Sequence, residues 1–146
     1  MARKGSSPRA QGAGLPACCR DIDEWPERWK GFPEDIAPGK QLVECFRPFI
    51  EHMVAEQLSP KTLRKHVSNI WMLGGEIIRD LDEDPKLRKV PLEKVLRDAV
   101  RDGGPLPYHY DSEEELRSFE STCRRFERFL EHKEQTGKTA ARRRRT

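Results

Sequence analysis

The sequence has no apolar run approaching the roughly 18 residues of a membrane span, and Met1 to Gln11 lack the apolar segment that a secretory signal requires. A cytoplasmic chain with no membrane partner is therefore expected. Paired cysteine spacing is also missing. Cys18, Cys19, Cys45 and Cys123 form no C-x-x-C, which leaves no basis for a zinc ribbon or a disulfide framework. His52, His66, His109 and His132 stand at no metal-ligand spacing from one another or from the cysteines, so no metal is expected. No phosphate-binding glycine loop is present, because Gly74-Gly75 falls inside a helical pattern rather than after a strand. Glu51, Glu56, Asp80 and the Asp82-Glu83-Asp84 run belong to no acid-base motif and read as solvated helix surface. Cys45 and Cys123 lie on apolar stripes, where thiols are inert. These absences together predict a protein with no cofactor and no self-contained catalytic site.

What is present in quantity is charge, at 36% of residues against 35% hydrophobic. One modest core with heavily solvated outer faces fits that balance. The net charge of +3 hides an uneven distribution. Arg3, Lys4 and Arg9 near the start, with Lys138 and Arg142 to Arg145 at the end, put +8 in two segments that contain no acid. Residues 15–136 hold 20 basic side chains against 25 acidic ones, a net of −5. An acidic body cannot attract a polyanion as a whole, so any nucleic-acid contact has to come from a local stripe or from the basic ends.

Helical periodicity dominates the pattern. Residues 1–20, rich in Gly, Ser, Pro and Ala, read as a disordered tail. Residues 21–39 interleave acids with Trp25, Pro26, Trp29, Phe32, Pro33 and Pro38. They read as an irregular strap whose aromatics either cover the core or bind a protein partner. From Lys40 to Leu58 the positions Leu42, Cys45, Phe46, Phe49, Ile50, Met53 and Val54 recur at three and four, and Pro48 predicts a kink or break near Glu44 to Arg47. Ser59 as N-cap and Pro60 at the first position start a second helix through about Leu81. Gly74 and Gly75 weaken it locally, which predicts close approach of another helix or of an aromatic such as Trp71. A third helix spans about Pro91 to Arg101. A fourth opens on Ser112 and Glu115 and buries Leu116, Phe119, Cys123, Phe126 and Leu130. His109, between Tyr108 and Tyr110 in the intervening loop, reads either as a binding tip or as part of a loop-anchoring cluster. The expected architecture is all-α, with a small four-helix bundle over residues 40–134, and a solvated basic tail over 135–146.

The helix that begins at Ser59 carries the functional argument. Stepping about 100° per residue, Lys61, Arg64, Lys65, Ser68, Met72 and Arg79 gather opposite Leu63, Val67, Ile70, Gly74 and Leu81, and that outer stripe contains no acid. Cations and a short hydroxyl in one row suit a phosphate backbone, and N–H groups near Thr62 suit a further phosphate.

The run Leu58-Ser59-Pro60-Lys61-Thr62-Leu63-Arg64-Lys65-His66-Val67-Ser68-Asn69 resembles the N-terminal helical core-binding domain of tyrosine recombinases and phage integrases. In that family a short turn is followed by an LSP-x-T-hydrophobic-basic helix. The resemblance implies a four-helix, SAM-like bundle that clasps double-stranded DNA through Lys61, Thr62, Arg64, Lys65 and Ser68. The chain after Leu130 offers no room for that family's arginine, histidine and tyrosine catalytic constellation, so strand cleavage is not expected. Ser59 to Ile70 is also similar to the recognition helix of LuxR-type regulators, although the turn before Ser59 is shorter here than in that family. Both resemblances assign this helix to DNA. The expectation is thus a nonenzymatic DNA-binding module, an accessory or regulatory protein of a mobile element. Its contacts would be Lys61, Thr62, Arg64, Lys65, Ser68 and Arg79, with Arg142, Arg143, Arg144 and Arg145 adding nonspecific attraction. The rival expectation is a protein-protein adaptor or inhibitor that docks through its acidic body and through Trp25, Trp29 and Phe32.

Overall fold

The structure is a computed structural model that describes the backbone of residues 16–145 and the side chains of residues 16–136. It is an all-α bundle, as the periodicity predicts, with five α-helices and connecting 3-10 turns among the described residues. These helices are α1 (Trp25–Trp29), α2 (Ile36–Ala55), α3 (Pro60–Glu83), α4 (Leu92–Ala99) and α5 (Glu113–Arg145).

Helix α2 forms because Leu42, Val43, Phe46, Phe49, Ile50 and Met53 return to one face every three or four residues, and all six are buried. It starts at Ile36, four residues before the expected Lys40, since Pro38 falls in the first turn, where a missing N–H has no partner to lose. Pro48 lies inside α2 without ending it, so of the expected kink or break the break is absent. One ladder hydrogen bond is lost there, while buried Phe46, Phe49 and Ile50 hold the helix on both sides.

The chain turns through Gln57, at a left-handed φ of 62°, and re-enters a helix at Pro60. The Thr62 N–H donates to Ser59 Oγ at 3.2 Å, the N-cap bond that the sequence predicts. Helix α3 buries Leu63, Val67, Ile70, Leu73, Ile77, Ile78 and Leu81. It runs antiparallel to the first part of α5, as the pairing of His66 with Thr122 and of Asn69 with Ser118 shows. Helix α5 brings Phe119, Cys123 and Phe126 into the same core, where the Phe126 ring stacks on Phe49 at 4.4 Å between centroids. Val95, Leu96 and Val100, in and after α4, complete it.

Three expectations about the ends change. Residues 21–39 are not irregular. They wind into 3-10 turns at Ile22–Glu24 and Pro33–Asp35 with α1 between them. Pro26 and Pro33 sit in first turns, positions that tolerate proline, so they punctuate the winding rather than forbid it. Residues 16–20, grouped above with a disordered tail, include a 3-10 turn at Ala17–Cys19 with Cys19 fully buried; residues 1–15 lie outside the described residues. At the other end α5 continues to Arg145 instead of giving way to a tail at 135. The apolar period stops there, but the remaining sequence has no proline and consists largely of good helix formers.

Candidate nucleic-acid interface

Helix α3 carries Lys61, Thr62, Arg64, Lys65, Ser68 and Arg79, and two groups of contacts fix it. Along its first half, His66 and Asn69 are buried polar side chains facing α5. Asn69 Nδ2 donates to Ser118 Oγ at 3.0 Å and to Thr122 Oγ1 at 2.8 Å. The Thr122 hydroxyl gives its single proton to the Ser118 carbonyl at 3.2 Å, which leaves it to accept from His66 Nδ1 at 2.8 Å. Burial lowers the pKa of His66, and the positive charges of Arg125 and Lys65 lower it further, so the ring is neutral at physiological pH.

Along the second half, the Trp29 ring lies directly against Gly74, where any Cβ would collide with it, and Trp29 Nε1 donates to the Trp71 carbonyl at 2.9 Å. The aromatic that compensates the glycine is thus Trp29 of α1, not Trp71. Below it Arg88 bridges two carboxylates at 2.6 Å each, Asp35 from the strap and Asp82 from α3. Burial works against ionising Asp35, but hydrogen bonds from Arg88 and from the Gly31 and Phe32 N–H groups outweigh it and hold its carboxyl below the usual range. Burial and the neighbouring Asp35 charge raise Asp82 in turn.

The outer face of the first half is different. Lys61, Arg64, Lys65 and Ser68 are all exposed, and none of the three cations has an ion-pair partner among the described residues. Elsewhere on the body Arg28, Lys30, Arg47, Arg88, Lys94, Arg97, Arg101 and Arg125 are each paired with a carboxylate. Arg20, Lys40, Arg79, Lys86, Lys89, Arg117, Arg124, Arg128 and Lys133 also lack an ion pair among the described residues, so what sets α3 apart is three unpaired cations in one row. Lys65 and Arg125 together put positive charge above His66, although Arg125 also reaches Glu56 at 2.9 Å.

The rest of the expected stripe departs from a free row. Thr62 is half-buried and accepts from the Ser59 hydroxyl at 2.9 Å, so it completes the cap. Its N–H is bound to Ser59 as well, which removes it as a phosphate donor. Met72 is half-buried against the core. Arg79 stands about 21 Å along the helix from Lys65, at 1.5 Å per residue, and its guanidinium lies 3.7 Å over the Tyr108 ring. Glu76 fixes that loop by accepting from the Tyr108 N–H at 2.9 Å. Tyr108 therefore anchors the loop, and His109 packs edge-on to it at 4.6 Å. The side chains of Arg142, Arg143, Arg144 and Arg145 lie outside the described residues.

The strap aromatics divide. Trp25 is buried, Trp29 is half-buried between α2 and α3 with its ring 6.1 Å from Phe46, and only Phe32 is substantially exposed, at 54%. Periodicity counts Trp71 with the apolar inward set of this helix, and the structure corrects that by placing it beside the basic row. Trp71 is 42% exposed, and it follows Arg64 and Ser68 at the four- and three-residue spacing of one helix face.

Other chemistry is weakly represented among the described residues. No group of three or more His, Cys, Asp or Glu is placed to hold a metal ion, and no helix is long and apolar enough to cross a membrane. Burial pushes the Cys19 and Cys123 thiols up to about 12, which keeps them protonated and unreactive. Comparison with protein-family models, with curated proteins and with solved structures finds no match for this chain.

Proposed function

We propose that the protein is a nonenzymatic, cytoplasmic DNA-binding module that uses the first half of α3 as its contact surface. One observation carries this reading: Lys61, Arg64 and Lys65 form an exposed row with no carboxylate partner, on a body whose net charge over residues 15–136 is −5. Left unpaired, such a row repels itself modestly and contributes nothing to the fold. Phosphates would neutralise it and release counterions. Ser68 adds a hydroxyl at the next turn for a positioning hydrogen bond. The short turn from α2 into the Ser59-Pro60 start of α3 agrees with the integrase-type resemblance, and with it the role of an accessory or regulatory factor of a mobile element. The adaptor reading has less support, because Trp25 is spent in the core and Trp29 is wedged against Gly74.

The test is a salt-titrated gel shift with duplex DNA, comparing the whole chain with a chain ending at residue 136. Helix-borne contact predicts that the shortened chain still binds at low salt, with a shallower salt dependence. Complete loss of binding on removing residues 137–146 would assign the affinity to the terminal arginines and refute a contact surface on α3.

A further inference from the structure

Between the strap and α3 lies an open cleft of about 370 Å³. Arg64, Ser68 and Trp71 form one wall, Asp21 and Arg28 stand on the other, and Trp25 lies at its base. Arg28 is occupied by Asp21 and Glu24, whereas Arg64 is not paired. Trp71 is held at its backbone by the hydrogen bond from Trp29, while 42% of the residue stays in water. A second exposed ring lies farther along: Tyr108, in the loop before α5, is 64% exposed and lies under the guanidinium of Arg79 from α3.

We propose that this face accepts an unpaired nucleic-acid strand, with a base stacked on Trp71 and its phosphates on Lys61, Arg64 and Lys65. The proposal rests on the nucleic-acid reading above and narrows it. Cations alone do not distinguish strand states, since both duplex and single strand offer phosphates. The indole does distinguish them. In a duplex the base faces are stacked inside and cannot reach a side chain on a convex helix, whereas an unpaired base presents its face at no unstacking cost. The order along α3 suits a track. Cations occupy the first two turns, Ser68 the next, Trp71 the next, and the Arg79 and Tyr108 pair lies about 12 Å beyond at 1.5 Å per residue. An aromatic fixed to a rigid helix also loses little freedom when a base settles on it.

The experiment measures binding of the full chain to a labelled oligothymidylate and to a duplex of equal length at the same low salt. It uses the wild type, Trp71→Ala, Trp71→Phe and the triple variant Lys61→Ala, Arg64→Ala, Lys65→Ala. Tighter binding of the single strand is expected, with a loss of roughly tenfold in Trp71→Ala, recovery of most of it in Trp71→Phe, and little change for duplex. Circular dichroism checks that Trp71→Ala remains folded. Single-strand affinity unchanged in Trp71→Ala, or duplex affinity falling as far as single-strand affinity, overturns the stacking role. Duplex binding that responds to the triple variant, without single-strand binding, overturns this inference and leaves the parent reading standing. Binding of neither probe overturns both.

Discussion

The two halves of α3 are built from similar residues and used differently. In the second half nearly every exception to the helical pattern is consumed by packing: Gly74 receives the Trp29 ring, Asp82 meets Arg88, and Arg79 covers Tyr108. In the first half the exceptions face inward only at His66 and Asn69, and the outward Lys61, Arg64 and Lys65 have no ion-pair partner. The difference teaches that charge on a helix face says little about function until its partners are known. Arg79 and Arg64 look alike in sequence, yet one anchors a loop and the other is available.

This contrast makes stability substitutions fall in a definite order. The largest effect is expected for Arg88→Ala, which leaves Asp35, 1% exposed, and Asp82 beside each other without their shared cation. A loss of about 3 kcal/mol follows from breaking such a buried pair, read from urea denaturation. Next comes Gly74→Ala, where overpacking against Trp29 costs about 1–3 kcal/mol and outweighs the gain in helix propensity.

His66 gives the first half its own signature. Because its pKa in the fold lies below the ordinary value near 6.5, the unfolded chain binds the proton first. The stabilisation is complete above about pH 6.5 and is lost as the pH falls toward the lowered folded value. Thermal melts at about pH 7.5 and 5.5 test this against His66→Gln, which does not titrate but retains an amide for Thr122. The wild type is expected to lose more melting temperature on acidification than the variant. Equal losses would remove His66 as the source.

The sharpest comparison is between neighbours. At Gly75 a Cβ would meet the Trp29 ring no closer than 3.5 Å, an ordinary contact, so Gly75→Ala is expected to stabilise by up to ~1 kcal/mol while Gly74→Ala destabilises. Opposite signs at adjacent positions, measured in one denaturation series, would establish Trp29 as the reason for the glycine. The smallest effect on stability belongs to Lys61→Ala, Arg64→Ala and Lys65→Ala, each expected within about 0.5 kcal/mol of wild type because these side chains have no partner to lose.

Much of the fold was legible in the sequence. The three- and four-residue spacing located α2 through α5, and Ser59-Pro60 marked the start of α3 within a residue. The strap was harder to read, because proline argues against a helix interior but not against a first turn, and only tertiary contacts decide which applies. The partner of Gly74 was also out of reach. A wheel lists what lies on a face but not which distant ring arrives there, so Trp71 was the nearest guess and Trp29, 45 residues away, was the answer. The exposed cations at Lys61, Arg64 and Lys65 were legible as a stripe. The engagement of Thr62 in the cap and of Arg79 with Tyr108 was not, since both depend on geometry that spacing does not encode.

The most direct test of the account is the slope of log Kd against log salt for duplex DNA, measured for the wild type and for the combined Lys61→Ala, Arg64→Ala, Lys65→Ala variant. The account predicts a slope shallower in the variant by about 0.9 for each phosphate contact removed, two to three units in all, with stability nearly unchanged. Superimposable slopes, or no duplex binding at low salt, would contradict it.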